Sequence, residues 1–175
     1  NPLEDYQMEL EYLCNTQLAE FKNGLENVSK KDGIKIGGMV TATRTGTTRT
    51  GNPFLVFTIE DYSGAYEFAL FGKDFVDYNK YMIKDLYLFI QGNIQERGSQ
   101  WKKNQNNTNN SLPPQLEFKI TKIMLLPDVK EQLINKLTID IPLEHIDDQL
   151  VNEFTYLIKK DTGKINLYIS VFDQN

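Results

Sequence analysis

The chain has 175 residues, 40% hydrophobic and 25% charged, with a formal net charge of −5. That is apolar enough to bury a core and excludes a disordered chain. A lone cysteine, Cys14, excludes a disulfide framework, and there is no signal-peptide pattern or run of about 18 apolar residues, so a soluble intracellular protein without membrane contact is expected.

Residues 1–33 are expected to form a helical segment, in which Leu18 and Phe21 share one face of a short helix with Thr16 as its N-cap. Residues 34–43 alternate as a first strand, interrupted by Gly37 and Gly38, which would let a long strand bend and serve two sheets. Residues 44–52 form a Thr- and Gly-rich turn carrying Arg44 and Arg49. Two further strands, 54–61 and 65–71, flank the hairpin Tyr62-Ser63-Gly64. A helix is predicted over 73–82 from Phe75, Tyr78 and Met82, and a fourth strand over 86–94. The Asn-rich stretch 97–114 has no apolar period and is expected to be a long mobile loop before a fifth strand, 115–126.

Bent strand, basic turn, hairpin, helix and two more strands make a mainly β fold with flanking α: a five-stranded Greek-key OB-fold barrel over 34–126. Residues 127–175 read as a partial α/β unit. In it, strands 137–141 and 164–172 flank a helix over 146–160 with Ile146, Leu150, Phe154 and Leu157 on one face. Alternation along the hairpin strands puts Leu55, Phe57, Ile59, Tyr66, Phe68 and Leu70 inside the barrel. Phe54, Val56, Thr58, Glu60, Glu67, Ala69 and Phe71 then point outside.

Charge is unevenly spread. Residues 1–33 hold three basic and seven acidic side chains, 34–125 eleven and eight, and 126–175 five and nine, so the barrel alone is basic. Its cations fall in two loops: Arg44 and Arg49 in the first turn, Arg97, Lys102 and Lys103 in the long one. In an OB-fold these loops flank the ligand face. Cations for phosphates and flat rings for bases are what single-stranded nucleic acid requires, and Trp101, Phe54 and Phe71 are the candidate stacking rings. Glu60 and Glu67 on the same face oppose phosphate and keep a protein-docking role in view. Catalytic constellations are lacking: His145 with Asp147 and Asp148 reads as a helix entry rather than a metal site, and there is no P-loop, Cys pair or nucleophile elbow. No catalytic residue, metal or cofactor is assigned.

The opening NPLEDY, the first loop Thr47-Thr48-Arg49-Thr50-Gly51, and the hairpin residues Glu60, Asp61, Gly64, Glu67 and Phe71 together resemble the C-terminal region of the α subunit of bacterial DNA polymerase III. Where that family has a histidine before Pro-Leu this chain has Asn1, and the Asn-rich stretch looks like an insertion. The resemblance implies an OB-fold beyond the polymerase core that contacts single-stranded template DNA. It also implies a piece of a longer protein whose polymerase carboxylates lie elsewhere, in keeping with a start at Asn1 and an end just past an apolar alternation. It further implies the beginning of a small α/β domain that contacts other replisome proteins, the clamp-loader τ subunit among them; such a half domain is expected to expose apolar surface and dimerise. An anticodon-binding OB-fold of an aminoacyl-tRNA synthetase shares the Asp-x-x-Gly hairpin, but lacks the Thr-Thr-Arg-x-Gly loop and the tail. Gln17-Leu18-Ala19-Glu20-Phe21 resembles a sliding-clamp-binding pentapeptide, yet Glu20 stands where that motif wants an apolar residue, so a packing role for Leu18 and Phe21 is the better reading.

Overall fold

A computed structural model describes residues 3–97, 115–160 and 163–173. The chain divides into two compact units, Asn1–Pro127 and Asp128–Asn175. The first runs through three short helices, α1 (Gln7–Tyr12), α2 (Leu18–Lys22) and α3 (Leu25–Val28), into strands β1 (Ile34–Thr47), β2 (Pro53–Asp61) and β3 (Gly64–Phe71). Helix α4 (Gly72–Tyr78), a 3-10 turn (Asn79–Tyr81), β4 (Tyr87–Glu96) and β5 (Leu116–Leu125) complete it. Helix α5 (Leu126–Leu133) follows. The fold is mainly β with flanking α.

The strand order β3-β2-β1-β4-β5 is antiparallel throughout and depends on β1 being shared. Ile34 to Met39 pair with β4, Met39 to Thr47 pair with β2, and a bulge at Thr41 follows the hand-over. Gly38 sits just before it because β2 passes close: a Cβ there would lie 2.4 Å from the Glu60 carbonyl oxygen. The inward row is as the alternation predicts, with Leu55, Phe57, Ile59, Phe68 and Leu70 buried together with Ile36, Val40, Leu88 and Ile90.

Strands β3 and β5 are the two ends of this sheet, and side chains close the seam between them. Phe21 of α2 is 3% exposed, and its ring stands edge-on to Phe68 and Phe118, each with centroids 5.3 Å away, and 5.2 Å from Tyr66. Helix α4 bridges the same seam through the Lys119–Asp74 ion pair and a Tyr78 hydroxyl that donates to the Thr121 carbonyl at 2.8 Å. Leu18 and Phe21 are therefore core, as expected from their helical spacing.

The N-cap of α2 is Gln17, not Thr16. Gln17 has extended backbone and forms a capping box with Glu20, whose carboxylate accepts from the Gln17 amide at 2.9 Å. The next two amides are capped from the hairpin 43 and 44 residues further on: Leu18 N donates to Asp61 Oδ2 at 2.8 Å and Ala19 N to Ser63 Oγ at 3.0 Å. Caps from so far along the chain leave no local signal.

The second unit holds β6 (Lys136–Pro142), α6 (Asp148–Lys160) and β7 (Asn166–Phe172), with β6 and β7 parallel. Asp147 Oδ1 accepts from Leu150 N at 2.7 Å, so His145, Asp147 and Asp148 do stand at a helix entry. Ile146, Leu150 and Phe154 face β6 and β7 around a cavity of about 180 Å³ that Ile141 and Ile169 also line. Leu157, expected on that packed face, is instead 56% exposed, because a single helix over two strands leaves the edge of its stripe uncovered. Among the described residues no helix is long and apolar enough to cross a membrane.

Candidate nucleic-acid interface

The outer face of β1, β2 and β3 is built of cross-strand rows, because residues directly opposite in antiparallel strands point the same way. One row is Gly46, Phe54 and Phe71; the next is Arg44, Val56 and Ala69; the third is Ala42, Thr58 and Glu67. In the first row the two phenyl rings stack with centroids 5.6 Å apart and planes at 26°. Phe54 also folds over Gly46, where a Cβ would lie 2.6 Å from its ring, so glycine is what lets the ring lie flat on β1. Phe54 is accordingly half-buried and Phe71 is 50% exposed. The pair presents one open aromatic surface, Phe71, backed by a second ring, rather than the two exposed rings expected.

Arg44 belongs to β1, not to the turn: β1 continues to Thr47 because residues 43–47 pair with 53–57. Its guanidinium donates to Glu67 Oε1 at 3.2 Å across the central strand. Val56, opposite Arg44 in the cross-strand row, is only 6% exposed although it points outward, a departure from the simple alternation. Both partners are more than half exposed, so this bridge contributes at most about 1 kcal/mol, and a phosphate can compete for Arg44.

The turn itself is reduced to residues 48–52 and is tied to itself. Thr48 N donates to the Asn52 carbonyl at 2.8 Å, Gly51 N to the Thr48 carbonyl at 2.9 Å, and Asn52 N to Thr48 Oγ1 at 3.0 Å. Arg49 stands exposed at its tip with no ion-pair partner among the described residues. The aromatic row therefore lies between two arginines: Arg44 is two residues along β1 from Gly46, about 7 Å at strand rise, and Arg49 lies beyond the other side of the row.

The second flank is partly described. Arg97 lies at the end of β4, its amide donating to the Gln115 carbonyl at 2.6 Å and its Nε standing 4.0 Å from Glu117 Oε2. Trp101, Lys102 and Lys103 lie outside the described residues. Beside Arg97 runs a groove of about 540 Å³ over the seam, lined by Tyr66, Phe68, Phe71, Phe118 and Lys119 among others. Residue order gives no sign of this groove. Alternation puts Tyr66 wholly in the interior, and only the unpaired β3 and β5 edges open the space that exposes part of it.

The unit that carries the basic turn, the aromatic row and the seam matches a known family. The family model described as an OB-fold nucleic acid binding domain matches residues 34–126, more than half of the sequence. The chain belongs to this family. Beyond the OB-fold, the model for the C-terminal domain of the DNA polymerase III alpha subunit matches residues 137–175. Curated relatives include DNA polymerase III subunit alpha of Haemophilus influenzae, 22% identical over 172 residues, and of Vibrio cholerae, 23% identical over 171, each aligned to 96% of this chain. The chain spans only 13% of the length of either relative. The order of the two matches and the length of the alignments make this chain a relative of the C-terminal region of the DNA polymerase III alpha subunit. Among solved structures, a mitochondrial single-stranded DNA binding protein of S. cerevisiae superposes with a TM-score of 0.32 at 12% identity, covering 54% of this chain and 93% of that one. A Plasmodium falciparum SSB in complex with single-stranded DNA gives 0.32 at 16% identity, covering 54% and 94%.

Proposed function

We propose that this OB-fold binds single-stranded DNA as a non-catalytic module of a replicative polymerase alpha subunit, holding template strand on the outer face of β1, β2 and β3. The observation that carries the reading is the half-exposed Phe71 ring, stacked on Phe54 and set between Arg44 and Arg49. A base stacked on Phe71 gains about 1–3 kcal/mol irrespective of its identity, and the arginines reach the phosphates on either side. Glu60 and Glu67 on the same face keep binding modest. Relatives aligned through both units favour the polymerase module over an anticodon-binding domain. On the same resemblance the second unit is assigned to contacts with other replisome proteins, the clamp-loader τ subunit among them, and the protein to the cytoplasm. No cofactor takes part.

Fluorescence anisotropy with labelled single-stranded DNA and RNA of one sequence tests this. DNA binding should weaken with salt at a slope of about −1.4 in log K against log salt, as for two phosphate contacts on a single strand. Arg49→Ala should lower that slope by about 0.7, and Phe71→Ala should weaken binding by about 1–3 kcal/mol at every salt concentration. Tighter binding to RNA would favour the anticodon-type reading. Absence of any salt-sensitive binding would make the barrel a protein-docking element.

A further inference from the structure

We infer that the base stacked on Phe71 lies in the groove over the β3–β5 seam, and that Glu67 and Glu117 select a base with an exocyclic amino group there, cytosine over thymine; the inference rests on the single-strand reading above. Phe54 of β2 covers one face of the Phe71 ring. A base therefore stacks on the other face, which is turned away from β2 toward the free edge of β3. That edge borders the groove of about 540 Å³, and Phe71 lines it together with Phe68 and Phe118. The space is large enough for a nucleobase, and its aromatic walls give the base further flat contact.

Charge decides which part of a nucleotide enters. Three carboxylates, Glu67, Asp74 and Glu117, line the groove against two cations, Arg97 and Lys119. Asp74 already holds Lys119, and Arg97 Nε stands 4.0 Å from Glu117 Oε2. The remaining negative charge repels a phosphate but not a neutral base, so the base turns inward and the phosphates stay with Arg44 and Arg49 outside. Glu67 Oε1 accepts from Arg44, and Glu117 Oε1 accepts from Gln95 Nε2 at 2.8 Å. Among the described residues the Oε2 atom of each is left without a hydrogen-bond donor. An ionised carboxylate only accepts, so it favours the amino N–H of cytosine and opposes the carbonyl that thymine presents in its place. Stacking on Phe71 is indifferent to the base, so this selection is added to it.

Fluorescence anisotropy with oligo-dC and oligo-dT of one length, at neutral pH and one salt concentration, tests the inference. Oligo-dC should bind about fivefold tighter. Glu67→Gln with Glu117→Gln keeps the shape of both side chains and should bring the two affinities together while both oligonucleotides still bind. The ratio is the readout, because releasing Arg44 from Glu67 acts on both oligonucleotides alike. Equal or tighter binding of oligo-dT by the unaltered chain, with Phe71→Ala weakening both, would overturn the base selection and leave the single-strand reading standing. A preference for oligo-dC that survives the double substitution would also overturn it, and absence of binding to either oligonucleotide would overturn both.

Discussion

Replacing Phe21 by alanine is expected to destabilise the first unit by about 3–5 kcal/mol, the largest effect of any single substitution proposed for this protein. The ring does what a strand pairing does in a fully closed barrel. Strands β3 and β5 end the sheet, and Phe21 fills the space between them against Phe68, Phe118 and Tyr66. Truncation removes a fully packed aromatic, its two edge-to-face contacts, and the plug under the seam. The neighbours that would have to collapse into the space belong to two strands held apart by their own ladders, so relaxation is limited and the cavity term is kept. Denaturant unfolding followed by near-ultraviolet circular dichroism reads the effect. Phe21→Leu, which keeps most of the volume, should cost less than half as much.

The second large effect is expected at Asp61, where alanine should cost about 3 kcal/mol. Its two carboxylate oxygens are fully used: Oδ1 accepts from the amides of Ser63 at 2.7 Å and Gly64 at 3.0 Å and from the Ser63 hydroxyl, and Oδ2 accepts from Leu18 N at 2.8 Å. One side chain therefore shapes the hairpin turn and caps a helix 43 residues away. A lost N-cap costs about 1 kcal/mol, and each partly buried donor left without an acceptor adds a similar amount. Ser63, which caps Ala19, also loses the acceptor that orients its hydroxyl. Thermal unfolding measures the total. Hydrogen exchange at Leu18 separates the cap from the turn, because the substitution should speed exchange there beyond the global change in stability.

These two residues show which parts of the molecule the sequence makes legible. Strand alternation is a local signal with a period of two, so the inward faces of β2 and β3, the bend of β1 and the helix between β3 and β4 are readable from residue order alone. Arg44 reads as turn because the length of β1 is set by its partner: Thr43 to Thr47 are strand only where Phe57 to Pro53 pair with them. Val56 reads as solvent-facing because alternation gives direction but not cover, and its 6% exposure comes from neighbours that residue order does not place beside it. The true cap of α2 and the groove over the seam arise from contacts between distant segments. At the site, Arg49 and the Phe54–Phe71 pair lie where residue order predicts, although only Phe71 offers an open face. Arg97 stands just past the end of β4, and Trp101, Lys102 and Lys103 lie outside the described residues.

Single-stranded DNA held on the aromatic row between Arg44 and Arg49 is read by titrating the isotopically labelled chain with a short single-stranded oligonucleotide and following the amide chemical shifts. For a strand on this row, perturbations are expected to cluster at Gly46, Phe54, Phe71 and the 48–52 turn, to extend toward Arg97, and to be lost in Phe71→Ala while the rest of the spectrum stays folded. Perturbations confined to other surfaces of the chain, or a spectrum unchanged at saturating oligonucleotide, would contradict it.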